Sequence, residues 1–401
     1  GIKTKTVLLS DRNDVGGDAK ENLRRLEATG AELAAAETTK ALACLMESAA
    51  EFDLVIDGIL GTGVKGDVSG HFAEAISFIN GLRKLVVSID VPSGLDATSG
   101  RACGIAALAS TTVTMGLPKT GLVRLDGVEQ SGRIRVADIG IPDDMVRDVA
   151  PEGELTVEQD LYHLFDQRRR ASHKGDYGRI LMVAGSPGMT GAACLAASAA
   201  MRSGSGLVTV AAPRGLNPIL EMKLTEAMTL PLPETAAGSP MLVDADGLNA
   251  LAEDVGILKK IKAPVILTPH PGEMARLLGK DTTSIPGDRI AVAGGFARDY
   301  GVTMVLKGAL TVVADTGGHA YVNASGNPGM ASGGSGDVLS GVIASLWGQG
   351  MSPTNAARAG SFVHGDAGDR AMLCLGERAF IASDVIDDLP RAIEGLVRRK
   401  W

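Results

Sequence analysis

Short apolar runs recur along the chain, each followed by a longer, Ala-rich amphipathic stretch. The runs are Val7–Leu9, Leu54–Ile56, Leu85–Ile89, Ile180–Val183, Leu207–Ala211, Met241–Val243, Val265–Leu267 and Met304–Leu306. Runs this short, bounded by turn residues, predict buried strands. Ala19–Thr29, Phe72–Ile79, Ala192–Met201, Gly287–Tyr300 and Gly336–Trp347 read as the helices between them. Such alternation predicts an α/β chain with parallel sheets covered on both faces. Gly140-Ile141-Pro142 closes a first series, and a charged, apolar-poor stretch over Pro151–Arg170 leads to a second. Two three-layer α/β domains are therefore expected, 1–150 and 155–401, divided near residue 155. Ligands of parallel sheets sit where strands run into helices, so the chemistry is sought directly after the apolar runs.

Composition narrows the picture. Two domains suit 401 residues, and 45% hydrophobic with 21% charged residues reads as globular. Aromatics are 3%, which disfavours base-stacking surfaces, and a net charge of −8 argues against nucleic acid as a partner. Arg168-Arg169-Arg170 reads as a solvated linker. Cys44, Cys103, Cys194 and Cys374 form no CxxC pair, so neither a zinc site nor a disulfide framework is expected, only buried thiols in a reducing compartment. No charged-then-apolar leader and no membrane-length apolar run is found, so no membrane partner and a cytoplasmic location are expected.

The strongest chemical signal is Gly326-Asn327-Pro328-Gly329-Met330-Ala331-Ser332-Gly333-Gly334-Ser335-Gly336-Asp337-Val338-Leu339-Ser340-Gly341, where Gly-rich turns run into an apolar helix. Consecutive glycines let backbone amides approach a phosphate, and the helix N-terminus adds its dipole. Asp337 is itself an anion in this setting. It reads either as a helix cap or as the acceptor of a proton from a hydroxyl that meets the phosphate there. This segment resembles the ribokinase-like superfamily. Further segments are Ser172–Arg179, Ala184-Gly185-Ser186, Gly191-Ala192-Ala193, Gly204–Val208, Asp244–Asn249, Thr268–Met274 and Lys307–Thr311. As a set, over roughly residues 170 to 395, they resemble the NAD(P)H-hydrate dehydratases. The resemblance implies a ribokinase-like fold. It also implies that Lys307, Gly308, Ala309, Leu310, Thr311, Gly333, Gly334, Ser335 and Gly336 bind the nucleotide. Ala192, His270 and Asp337 would contact the hydrated nicotinamide, with Asp337 catalytic. In that family a Gly-Pro-Gly-Leu-Gly-like loop lies between the Ala-Ala-Pro strand and the Asp-Ala-Asp strand. Here nothing matches it between Glu234 and Met241.

The N-terminal half carries Asp57–Gly66 after the run at Leu54, then Asp90-Val91-Pro92-Ser93-Gly94-Leu95-Asp96, Met115–Lys119 and Val136–Pro142. It resembles the NAD(P)H-hydrate epimerases, which have a Rossmann-like fold and are fused to dehydratases in many bacteria. That resemblance implies potassium on Asp57 and Ser93, and substrate on Asp90 and on Gly61, Thr62, Gly63, Val64, Lys65, Gly66 and Asp67. Carboxylate and hydroxyl oxygens suit a hard monovalent cation. The family's first strand and its Asn-Asn-Gly-Gly-Asp-Gly loop have no counterpart after Gly1, so this domain is expected to lack one potassium ligand and a substrate loop. Together the resemblances imply a bifunctional repair enzyme. It would epimerise hydrated NADH and NADPH and dehydrate the S form with ADP, giving AMP and phosphate, with Mg2+ as phosphate counter-charge. A homo-oligomer is expected. A ribokinase-like kinase for a pyrimidine or thiazole alcohol, and a non-catalytic nucleotide-binding protein, are the alternatives.

Overall fold

The computed structural model describes residues 2–49, 51–149, 153–169, 171–232, 241–280 and 288–398. The chain divides into two compact units, Gly1–Asp148 and Val149–Trp401.

In the first unit, β1 (Lys5–Leu8), α1 (Gly17–Ala28), β2 (Glu32–Ala35) and α2 (Thr39–Ala49) come first. They are followed by β3 (Leu54–Asp57), α3 (Gly70–Gly81), β4 (Leu85–Ile89), β5 (Thr111–Met115), α4 (Gly127–Gln130), β6 (Arg133–Ala137) and α5 (Asp143–Val149). β1 and β2 pair in parallel, and β3-β4-β5-β6 form a separate parallel sheet. Side chains alternate across that sheet, as the two-residue period of a strand dictates. Asp57, Val86, Ser88, Thr112, Thr114 and Ile134 are buried, while Leu54, Ile56, Leu85, Ile89 and Met115 are exposed. The expectation of two covered faces therefore does not hold for this sheet.

The second unit begins with β7 (Gly153–Thr156), which is why the division falls ahead of residue 155: this strand pairs in parallel with β15 (Ala320–Asn323). Next come β8 (Arg179–Val183), α6 (Thr190–Arg202), β9 (Leu207–Pro213), α7 (Asn217–Lys223) and β10 (Met228–Leu232), forming a parallel sheet ordered β10-β9-β8. Then follow β11 (Met241–Val243), α8 (Asp246–Leu251), β12 (Val265–Leu267), α9 (Pro271–Leu278), α10 (Arg289–Tyr300), β13 (Thr303–Leu306) and β14 (Thr311–Ala314). The sheet order is β11-β12-β13-β14-β15-β7. Here the all-parallel expectation is corrected: β13, β14 and β15 are antiparallel. The turn 307–310 is too short for a crossover and closes a hairpin instead. The stretch between Glu234 and Met241 lies largely outside the described residues.

β12 and β13 are buried along their whole length, as central strands covered on both faces should be. On one face Ile266 and Val305 join a core filled by Val338, Val342, Ile343, Val363, Leu389 and Leu396 of α11 (Ser335–Gly348), α12 (Pro353–Leu375) and α13 (Ala382–Arg398), and α10 packs against β13 as well. Small residues let these helices approach closely. A Cβ at Gly341 would lie 2.3 Å from the Ala196 carbonyl of α6. Arg168 is not simply solvated: its guanidinium lies 3.9 Å over the Tyr177 ring and donates to the Gly204 carbonyl. Nor are all the thiols buried, because Cys44 and Cys374 are exposed; all four are free. Among the described residues no helix is long and apolar enough to cross a membrane.

Candidate active sites

In the second unit the residues singled out above converge at the C-terminal ends of β11, β12 and β13. Asp244 follows β11, His270 precedes α9, and Lys307 follows β13. The Lys307 ammonium donates to Asp244 Oδ1 at 2.7 Å and stands 3.8 Å from Glu273. A Cβ at Gly336 would come within 3.2 Å of that same ammonium, so Lys307 and the Gly-rich loop face one another. The loop reaches α11 through Gly334, whose φ of 93° an L side chain rarely adopts. A Cβ there would lie 2.6 Å from Leu195. Ala192 stands one turn before Leu195 on the same face of α6, which places it at this end of the helix. Ser335, in the first turn of α11, has its hydroxyl 3.3 Å from Nε2 of the buried His364. Burial pushes that histidine's pKa down to about 4, and the nearby Lys307 charge adds to the shift, so it backs the loop as a neutral ring.

Asp337 is not the helix cap: Gly334 occupies the N-cap position of α11. Among the described residues no hydrogen bond claims the Asp337 carboxylate. Burial raises its pKa, the Asp244 charge raises it further, and the Lys307 charge opposes both. The group is thereby a stronger proton acceptor than an ordinary aspartate. His270 does cap its helix. Its Nδ1 accepts from the Gly272 and Glu273 amides at 3.0 and 3.3 Å, and Glu273 in return accepts from the His270 amide at 2.8 Å. With Nδ1 an acceptor, a neutral His270 carries its proton on Nε2, as a donor. Sequence reasoning assigned no role to Asp244, although it follows an apolar run directly. Ser340, which donates to Asp244 Oδ2 at 2.7 Å from inside α11, was part of the quoted motif but carried no assignment.

In the first unit Asp57 and Ser93 meet. Asp57 is fully buried at the end of β3 and accepts from Ser88 Oγ at 2.7 Å, Ser93 N at 2.9 Å and Ser93 Oγ at 2.5 Å. Ser93 Oγ also lies 3.2 Å from the Leu60 carbonyl. These are oxygen donors only, a set that suits an alkali cation. Among the described residues no cluster of three His, Cys, Asp or Glu side chains is arranged to hold a metal. Asp90, after β4, has φ +67°, outside the usual range for a non-glycine residue. Its carboxylate accepts from the Met115 amide at 2.9 Å, from Thr114 Oγ1 at 3.2 Å and from Lys119. Burial alone would raise its pKa. The Lys119 ammonium, the Met115 amide and Thr114 outweigh that and hold it low. Gly61 through Asp67 form the open loop between β3 and α3. Lys119 was part of a quoted motif but carried no assignment.

Comparison with known proteins agrees with this division. A family model described as NAD(P)H-hydrate dehydratase matches residues 180–239 and 234–391, and one described as YjeF-related protein N-terminus matches residues 1–121. The bifunctional NAD(P)H-hydrate repair enzyme Nnr of Moorella thermoacetica is 42% identical over 99% of this chain and 83% of its own length. The Escherichia coli protein of that name is 34% identical over 87% of this chain and 73% of its own. Among solved structures, the ADP/ATP-dependent NAD(P)H-hydrate dehydratase of Bacillus subtilis, co-crystallised with ATP and Mg2+, is 29% identical with a TM-score of 0.53. It covers 62% of this chain and all of its own. A ribokinase-like superfamily protein of Enterococcus faecalis, 23% identical with a TM-score of 0.53, shares the fold over 62% of this chain and 97% of its own. The chain belongs to the bifunctional NAD(P)H-hydrate repair enzymes.

Proposed function

We propose that the second unit dehydrates the S form of hydrated NADH and NADPH, with ADP as phosphoryl donor. NAD(P)H, AMP and phosphate are the products, and the first unit interconverts the R and S forms. The observation that carries the dehydration is the Asp337 carboxylate: half-buried, unclaimed by any donor among the described residues, and set beside a Gly-rich helix mouth and Lys307. In this reading Asp337 takes the proton from the hydroxyl on the nicotinamide ring as its oxygen attacks the terminal phosphorus of ADP. The bond from that phosphorus to AMP breaks. The ring then expels phosphate, an easier leaving group than hydroxide, and gives up a proton from the neighbouring ring carbon to solvent, which restores the C=C bond of NAD(P)H. The amides of Gly333 through Gly336 and the Lys307 ammonium meet the charge on the phosphoryl group in flight. Ala192 and His270 line the nicotinamide side.

Magnesium fits as a counter-charge carried on the nucleotide phosphates. Asp244 accepts from Lys307 on one oxygen and from Ser340 on the other. In the first unit Asp57 and Ser93 would hold potassium, while Asp90 and the 61–67 loop face the substrate. The test is incubation of the full chain with hydrated NADH plus ADP, or plus ATP, following NADH absorbance and nucleotide products. ADP-dependent gain of NADH with AMP as product is expected. Phosphorylation of a small alcohol without hydrate turnover would overturn the reading in favour of a kinase.

A further inference from the structure

The turn between β13 and β14 carries the residues assigned to the nucleotide, and its shape has an unassigned cause. Arg289, the first residue of α10, reaches under it. Its guanidinium donates to the Leu306 carbonyl at 2.9 Å, to the Lys307 carbonyl at 3.0 Å, and to the Ala309 carbonyl. The remaining nitrogen, Nε, is buried with no hydrogen-bond partner among the described residues. Burying a guanidinium is costly unless its donors are used, and here three main-chain oxygens use them.

Those three bonds fix the opposite side of the turn as well. In a trans peptide the N–H points away from the C=O of the same unit. With the Leu306 carbonyl on Arg289, the Lys307 amide points the other way and donates to the Pro269 carbonyl at 2.9 Å. With the Lys307 and Ala309 carbonyls on Arg289, the Gly308 and Leu310 amides also point away from it. Neither has an acceptor among the described residues. The Gly308 carbonyl is taken by Thr311 Oγ1 at 3.1 Å. The backbone pays for this shape in conformation: Gly308 has φ +140° and Leu310 φ +54°. At Gly308 a Cβ would come within 3.0 Å of Arg289 Nη2, so the guanidinium and the glycine fit only as a pair.

We propose that Arg289 is a positioning residue for the nucleotide: it gathers the turn's carbonyls to one side and presents the Gly308 and Leu310 amides, beside Lys307, to a phosphate. Outward amides flanking a lysine form an anion-binding concavity. The ligand class is a nucleoside phosphate, held at the phosphate that stays with the nucleoside. This rests on the dehydratase reading for its substrate, but nucleotide binding can be measured without any hydrate.

The test is calorimetric titration of ADP into the full chain as wild type, Arg289→Ala and Arg289→Lys, with thermal unfolding as the fold control. Arg289→Ala should bind ADP at least about 30-fold more weakly, since two amides lose their orientation. Millimolar guanidinium should restore binding to Arg289→Ala and leave the wild type unchanged. Arg289→Lys should fall between, because an ammonium cannot span three carbonyls as a planar fork does. In turnover, KM for ADP should rise while kcat at saturating ADP and KM for the hydrate hold within about 2-fold. ADP affinity within about 2-fold of wild type in either variant overturns the proposal. So does failure of guanidinium to restore a folded Arg289→Ala, or a fall in kcat with KM for ADP unchanged. If Arg289→Ala does not fold, Arg289→Lys decides by the same affinity criterion. A wild type that binds ADP without dehydrating the hydrate sinks the functional reading alone.

Discussion

Asp57, at the end of a strand in the first unit, and Asp337, in the first turn of a helix in the second, are both carboxylates withdrawn from solvent, yet their surroundings are opposite. Asp57 has both oxygens engaged by Ser88 and Ser93 and no exposed surface. Asp337 has no donor among the described residues, and burial together with Asp244 works against its charge. A carboxylate ringed by donors organises what surrounds it. One left without donors is poised to accept a proton. Under the proposed reading the same side chain is an anchor in one unit and a reactive group in the other, and the donors around it decide which.

The most severe way to break this contrast is Asp337→Asn. It should lower kcat for dehydration by about 10³-fold, the typical weight of a positioned general base. ADP affinity should stay within a few-fold, and stability should hold or rise slightly, because a poorly solvated charge has gone. Stopped-flow kinetics, calorimetry and thermal unfolding read the three quantities; near-wild-type turnover would end the base assignment. The next effect comes from His364. Its folded pKa is depressed while the unfolded ring takes a proton near 6.5, so its contribution is complete above that pH and is lost as pH falls toward 4. With a folded value of about 4 the loss is on the order of 3 kcal/mol across that window. Urea unfolding followed by Trp347 fluorescence should show the slope in the wild type and not in His364→Gln.

Much of this contrast was legible in the chain. The Gly-rich approach to Asp337 and the apolar runs before Asp57, Asp90, His270 and Lys307 placed each residue at a strand end, because hydrophobic period and glycine clusters are local signals. What escaped depends on residues far apart in sequence. Ser340 reads as one more position of an apolar helix until the fold sets it 2.7 Å from Asp244, 96 residues away. Arg289 reads as a helix-start cation until its three carbonyl acceptors lie above it. The hairpin at 307–310 was passed over because no strand was read after Met304–Leu306, although Val312 and Val313 follow closely. His270 was read for ligand contact, yet it also caps α9, a role its spacing to Glu273 already signalled.

The anchor side of the contrast is sharpened by Asp57→Asn. The amide keeps the shape but offers an N–H where an oxygen accepted, so at least one buried donor from Ser88 or Ser93 loses its partner. A cost of about 1–3 kcal/mol is expected. The first unit contains no Trp or Tyr, so fluorescence would not see this loss. Hydrogen exchange in β3 and β4 would, and unchanged protection there would mean that the Ser88 and Ser93 contacts carry little stability.

The smallest effect concerns Asp90, where the two conditions compete on one carboxylate. Burial pushes its pKa up, while Lys119, the Met115 amide and Thr114 hold it below 3.8. Lys119→Met removes the ammonium and leaves the other two donors, so burial gains weight and the carboxyl should titrate at higher pH than in the wild type. The linkage has a definite sign. A depressed folded pKa contributes stability that is present above the unfolded value and lost as pH falls through the folded one. The wild type should therefore lose protection at the Met115 amide as pH drops below about 4, and Lys119→Met should show less of that loss, starting from a lower level. Carboxyl-labelled aspartate followed by NMR gives the midpoint directly. If it does not move, the Met115 amide and Thr114 are the groups that hold Asp90 as an anion, and Lys119 is free for another partner, such as the substrate that the 61–67 loop would enclose.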